Sequence, residues 1–238
     1  MLLKYDLHTH ILPSTDDGPE TAEASSDLIE ALCSKGVENI CFTPHFYTHK
    51  ESMEDFLARR DEGLKALPAE ALQEVNIKLG AEVYVTKYLF SEERDFRPLC
   101  IEGTDYMLTE FPYTSQFSSD TLRMISRIMD FAIIPVLPHV ERYPYLLKNT
   151  DKLRELIDMG VVIQSNYVSY TESGVKRKLL KLLSKGYIHI LSSDVHSSDR
   201  NSPDMSEAGF DFINKKCSAE IIEYLAENNE KVFNGKLI

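Results

Sequence analysis

Residues 179–196 read LLKLLSKGYIHILSSDVH, and this stretch sets the pattern for the chain. A leucine-rich helical segment stops at Gly186, an apolar run follows at once, and Asp194-Val195-His196 comes directly after it. Glycine tolerates the left-handed conformation that commonly closes a helix, so Gly186 marks a helix-to-strand connection with almost no loop. The same handover recurs at Gly36 and Gly160. Repetition of helix, glycine and strand predicts a mainly parallel sheet with helices outside it.

Apolar runs of strand length lie at residues 2–7, 39–43, 76–81, 106–109, 132–137, 161–164 and 188–191. Helical spacing fills residues 20–35, 53–67, 120–131, 151–159, 175–184 and 219–228. Seven strands are one short of the usual β/α barrel. The expected class is therefore α/β, and closure of the sheet into a barrel is a further inference that rests partly on the site residues below. No linker or low-complexity stretch divides the chain, so one domain is expected over residues 1–238.

The 238 residues include 38 acids against 26 Lys and Arg, for a net charge of −12. With 43% hydrophobic residues the chain can bury a sizeable core. So acidic a balance excludes a general nucleic-acid binder, and at first sight disfavours a phosphate-bearing substrate. Cys33, Cys41, Cys100 and Cys217 show no CxxC spacing, which suits buried thiols in a reducing compartment. An Asp and two His interrupt the opening MLLKYDLHTH, unlike a secretory leader. No apolar run approaches the roughly 18 residues of a membrane span, so no membrane insertion is expected. The expected location is cytoplasmic.

Chemistry collects where the strands end. His8 and His10 close the first run, His45 follows the second, His139 the fifth and His196 the seventh. Asp16 and Asp17 follow the first, Glu82 the third, Glu110 the fourth and Asp194 the seventh. In a parallel barrel those ends share the face that carries active sites. Each motif has a plainer reading. Asp16-Asp17-Gly18 suits a turn before a helix, and a lone His139 suits a satisfied core histidine. His8-Thr9-His10 puts two imidazoles on one side of a strand, as one ion would require. Together the residues point to a metal site. His49, in a polar loop, and His189, at the start of a strand, are not expected to join it.

Imidazole and carboxylate donors without thiolate suit Mn, Fe, Zn or Co. This many donors fits two or three ions, which together can activate water and clamp phosphoryl oxygens. Spacing alone does not choose between Asp16 and Asp17. Nucleotide loops, a GxSxG elbow and the cysteine-phosphatase HCx5R pattern are all missing. Arg142 and Arg200 follow two of the histidines and offer forks for phosphate, or alternatively loop salt bridges to Glu141 and Asp199.

DLHTHILPSTDDGP, CFTPH, GAEVY, LTEF, PHVERY and SSDVH stand in this order between residues 6 and about 200. They resemble the polymerase and histidinol phosphatase (PHP) superfamily. Within it they resemble the manganese-dependent protein tyrosine phosphatases of bacterial capsule and exopolysaccharide systems, the CpsB/CapC-like family. The resemblance implies a distorted seven-stranded (β/α) TIM-like barrel of the PHP type holding three divalent ions, manganese first. It implies His8, His10, Asp17, His45, Glu82, Glu110, His139, Asp194 and His196 as ligands. It also implies Arg142 and Arg200 as catalytic groups, although Arg200 sits about one position out of register. Phe46 stands where many relatives carry another His.

The activity so implied is hydrolysis of phosphotyrosine on protein, with a cognate tyrosine kinase as partner. Association into a homo-oligomer is open, with residues 20–35 or the C-terminal helix as candidate faces. The rivals are a small-molecule phosphatase for histidinol phosphate or nucleotides, and a non-catalytic metal-bound regulatory module. Three divalent ions would bring the net charge to about −6 and make the pocket locally electropositive.

Overall fold

The structure is a computed structural model describing residues 1–91 and 95–238. Its strands pair in parallel. β1 (Tyr5–Thr9) pairs with β2 (Asn39–Phe42), and β2 with β4 (Asn76–Leu79). A second run orders β3 (His45–Phe46), β5 (Glu82–Tyr84), β6 (Tyr106–Glu110), β7 (Ile134–Leu137), β8 (Val162–Asn166) and β9 (Ile190–Ser192).

The strands of the second and third apolar runs each continue past a break into a second short strand beyond the run. Thr43 and Pro44 separate β2 from β3, and Gly80 and Ala81 separate β4 from β5. Pro44 has no N–H to offer a ladder. Its carbonyl still accepts from Glu82 N at 3.1 Å, and that of Phe42 accepts from Gly80 N at 2.9 Å. The neighbouring strands therefore break together and stay in contact. The first and last strands also meet: Thr9 and Val195 form a parallel bridge, and Asp194 N donates to the His8 carbonyl at 2.9 Å. The architecture is α/β, a curled parallel sheet with helices packed outside it.

Those helices are α1 (Ala22–Ser34), α2 (Met53–Ala66), α3 (Ser119–Asp130), α4 (Pro144–Lys148), α5 (Thr150–Asp158), α6 (Lys176–Ser184), α7 (Pro203–Lys216) and α8 (Ala219–Phe233). Thr21, Ser52 and Ser202 cap α1, α2 and α7 by accepting a backbone N–H from the first turn. The three handover glycines take left-handed φ values of 96° at Gly36, 102° at Gly160 and 67° at Gly186. The short helix–strand connections depend on that conformation.

A small core cluster joins Leu7, Cys41, Leu108, Val136 and Ile190 from five strands, which places it inside the curl. Val232 and Phe233 of α8 close it from below. The pairing of β1 with β2 slips between Asp6 and Thr9. Such a bulge lets apolar Leu7 and the polar His8 both face the interior. α8 runs five residues beyond the expected 228, and Asn229 binds the Tyr5 and Leu191 carbonyls at 2.9 and 2.6 Å. The far end of this helix is thus committed inside the fold.

α7 departs from the sequence reading, which assigned no helix there. Its Ser202-Pro203 start is a regular helix signal, but Gly209 and the polar composition hide the periodicity. Gly209 has a packing role: a Cβ there would lie 1.9 Å from the Tyr167 carbonyl oxygen. Gly209→Ala is expected to cost about 2 kcal/mol or more in urea unfolding. Gly174→Ala, where a methyl meets nothing within 4 Å, should stay within about 0.5 kcal/mol of the parent. Equal stabilities for the two variants would refute the close packing of α7.

Candidate metal centre

The strand ends bring all nine expected ligands together. Glu82 is the hub. Its Oε2 lies 3.4 Å from His8 Nε2, 3.2 Å from His10 Nε2 and 3.0 Å from His45 Nδ1. Its Oε1 lies 2.6 Å from His139 Nε2, and Glu110 Oε1 lies 3.7 Å from the same nitrogen. Asp194 Oδ1 is 3.5 Å from His8 Nε2 and 3.4 Å from His10 Nε2. At the mouth, Asp17 Oδ1 is 3.4 Å from both His45 Nε2 and His196 Nε2. Three overlapping groups have metal-ligand spacing: His10, Asp17, His45 and His196; His8, His10 and Glu82; and His45, Glu82 and Glu110.

Local backbone geometry aims these side chains. His139 and Asp194 take positive φ values of 34° and 55°, and Asn201 beside them takes 50°. Non-glycine residues in this region carry a steric cost and cluster at functional sites. Asn166 and Asn201 donate to Asp194 Oδ2 at 2.7 and 3.0 Å, fixing that carboxylate. The turn carrying the two aspartates is pressed onto β1: a Cβ on Gly18 would lie 2.0 Å from the His10 carbonyl oxygen. Arg59 of α2 clamps the turn by donating to the Thr15 and His45 carbonyls.

The structure separates Asp16 from Asp17. Asp16 Oδ2 sits 2.6 Å from His10 Nδ1 and accepts from His45 N at 3.0 Å. It therefore fixes the His10 tautomer and leaves Nε2 facing the cage. His196 is held likewise, with Nδ1 2.7 Å from the Asp194 carbonyl oxygen. His49 is exposed and outside the cage. His189 accepts from Ile163 N at 2.9 Å, away from the ligands.

Charge in the cage is finely opposed. Burial would push Glu82 up, but the surrounding imidazoles, His8 and His139 foremost, hold it well below the usual carboxylate range. Burial likewise acts against Asp194, which His8 and Arg142 keep low. Burial drives His10 down, yet Asp16 and Glu82 raise it well above an ordinary imidazole. Burial and the neighbouring Glu82 charge push Glu110 up to about 7. The carboxylates thus crowd one another and depend on nearby positive charge.

Several donors face one another without bonding. His45 Nδ1, Glu82 Oε2, Asp194 Oδ1 and His196 Nε2 are buried with no hydrogen-bond partner. Buried polar atoms rarely stay unpaired. Meanwhile His8 Nε2 and His10 Nε2 sit 3.0 Å apart, nitrogen to nitrogen. Hard and borderline donors converging in this way fit divalent cations.

Neither arginine makes the alternative loop salt bridge to Glu141 or Asp199 among the described residues. Arg142 binds Asp194 Oδ2 at 2.6 Å and Arg200 binds Asp17 Oδ2 at 2.6 Å, so both point at the cage. Glu141 instead accepts from Asn166 N at 2.8 Å and Ser169 Oγ at 2.9 Å. Tyr113 is an addition that sequence reasoning missed. Its hydroxyl donates to Glu110 Oε1 at 2.5 Å and accepts from Arg142 at 3.3 Å. Only its place three residues after Glu110 hinted at this.

A family model described as capsular polysaccharide synthesis, CpsB/CapC, matches residues 4–234. The chain is 32% identical over 249 residues to the tyrosine-protein phosphatase CpsB of Streptococcus pneumoniae, covering 98% of this chain and 99% of that protein. It is 26% identical over 240 residues to the tyrosine-protein phosphatase YwqE of Bacillus subtilis strain 168, covering 98% and 92%. Among solved structures it is similar to YwqE of Bacillus subtilis and CpsB of Streptococcus pneumoniae, described as unique metal-dependent tyrosine phosphatases. The TM-score is 0.82 at 22% identity, covering 98% of this chain and 95% of the other, a likeness of fold. A β-aspartyl dipeptidase from Fervidobacterium islandicum shares the fold more distantly, with a TM-score of 0.59 at 14% identity, covering 100% and 75%.

Manganese added to EDTA-treated protein should raise Tm by several degrees, because a ligand bound only to the folded state stabilises it. Asp16→Asn should raise the half-saturating metal concentration about tenfold or more. An unchanged titration in that variant would remove Asp16 from ligand positioning.

Proposed function

The chain belongs to the CpsB/CapC capsular polysaccharide synthesis family, and from that premise we propose that it hydrolyses phosphotyrosine on protein in a metal-dependent reaction. The observation that carries this reading is the convergence of nine imidazole and carboxylate side chains on one face, with two arginines aimed into them. The unpaired buried atoms of that cluster support a cation site. His8, His10, Asp17, His45, Glu82, Glu110, His139, Asp194 and His196 would hold three divalent ions, manganese first and iron, zinc or cobalt as alternatives. When bound, such ions supply a water of lowered pKa and positive charge at the phosphoryl oxygens.

The chain's own residues do the remaining work. Asp16 fixes His10, and Asn166 and Asn201 fix Asp194, so these donors need little reorganisation. Arg142 and Arg200 present planar forks to the equatorial oxygens of the ester. Tyr113 ties Glu110 to Arg142 and so sets the spacing between cage and fork. A tyrosinate leaving group, with a free pKa of about 10, needs only modest protonation help. Asp17 and Arg200 are roughly half exposed, with side chains 49% and 47% accessible. One wall of the site therefore reaches the surface, which favours a phosphate displayed on a protein over an enclosed small molecule.

The parallel bridge between the first and last strands supports a distorted, closed seven-stranded barrel of the PHP type. It is read as a single domain over residues 1–238. The substrate is read as a cognate tyrosine kinase of the capsule system, met in the cytoplasm. No described helix is long and apolar enough to cross a membrane.

Purified protein with added Mn should release phosphate from a phosphotyrosine peptide, and EDTA should abolish the release. Arg142→Ala should lower kcat on the order of 100-fold, the scale of losing one transition-state donor, with metal content unchanged. Wild-type kcat in that variant would take Arg142 out of the mechanism. Full turnover in EDTA would overturn the metal dependence.

A further inference from the structure

Beside the cage, the same face carries a second cavity of about 840 Å3. It lies between the chain leaving β5 and the start of α3. Phe90, Phe111 and Met124 give it an apolar floor, and Lys87, Arg123 and Arg127 line it as exposed cations. Among the described lining residues Asp120 is the acid, and it pairs with Arg123. On a chain with net charge −12, three cations to one acid among the described lining residues is a local reversal of sign. Arg127 is stacked 4.4 Å from the Phe90 ring centroid, which holds it at the cavity. A stacked guanidinium keeps its in-plane N–H groups for an anion.

The cavity shares a wall with the cage. Val85 lines it and donates its N–H to the Glu110 carbonyl at 2.7 Å. Pro112 and Thr114 line it too, while Tyr113 between them binds Glu110 and Arg142. An extended peptide advances about 3.3 Å per residue. A phosphotyrosine seated in the cage therefore lays its sequence neighbours across this face within a few residues.

We propose that this cavity is a specificity subsite that binds acidic and apolar residues flanking the phosphotyrosine of the substrate. The proposal rests on the phosphotyrosine phosphatase reading. It adds that the enzyme reads local sequence through Arg123 and Arg127, apart from the cage that binds phosphate.

The test uses two fluorescein-labelled phosphotyrosine peptides, one with Glu and Leu flanks and one with Lys and Ser flanks. Anisotropy is read on wild-type protein and on the Arg123→Ala/Arg127→Ala variant, with p-nitrophenyl phosphate hydrolysis measured in the same preparations. The wild type should bind the acidic peptide more tightly. The variant should lose about fivefold in affinity for it, the scale of one or two exposed charge pairs. Affinity for the basic peptide and hydrolysis of the small ester should stay within about twofold. High salt should erase the wild-type preference, since exposed pairs are screened. An acidic-peptide preference that survives in the variant, or an equal loss on both peptides, overturns the subsite. Absence of small-ester hydrolysis in the wild type counts instead against the phosphatase reading, and the binding comparison still decides the cavity.

Discussion

Glu82 is a carboxylate with 1% of its surface exposed and four imidazoles around it. Placing so many polar donors where water cannot reach is costly unless opposite charge is supplied. The rest of the molecule is arranged to tolerate this one cluster. β1, β3, β5 and β6 and the turns after β1, β7 and β9 contribute side chains to it. The interior beneath is filled by Leu7, Leu108, Val136 and Ile190 and closed by Phe233, so the strand ends are held on a packed base. That base makes the donors rigid, and rigidity is what a pre-aligned metal cage requires.

The irregularities of the sheet fall where the chemistry is. The bulge in β1 falls between Asp6 and Thr9, the interval that holds His8, and the double break in β2/β3 and β4/β5 comes just before His45 and Glu82. His139 and Asp194 adopt left-handed backbone two residues after their strands. A regular ladder would project alternate side chains to opposite faces. The interruptions let consecutive strands deliver apolar residues to the interior and donors to its rim. Local strain at these points is offset by the packing beneath them.

Much of this was legible in the sequence. The helix–Gly–strand handover at Gly36, Gly160 and Gly186 implied the parallel sheet, and polar residues after apolar runs pointed to the cage. The boundaries were less legible, because apolar patterning ends strands too early: β1, β6 and β8 continue into polar residues such as His8, Glu110 and Asn166. α7 was hidden by Gly209, whose role is close approach to another backbone. Asp16 and Asp17 are chemically identical neighbours, and only their directions in space distinguish a tautomer-fixing group from a cage donor. Tyr113 and Asn201 lie in loops, where no periodicity marks a residue, and the partner of Asn166, Asp194, is distant in sequence.

The overall charge of −12 is compatible with phosphate binding because several acids are gathered where cations would neutralise them. The most direct measurement is anomalous diffraction at the manganese edge from crystals grown with MnCl2. The account predicts peaks inside the cage, with Glu82 Oε2 and Nε2 of His10 among the coordinating atoms. A map with no peak among the nine side chains, in protein that hydrolyses phosphotyrosine, would contradict it.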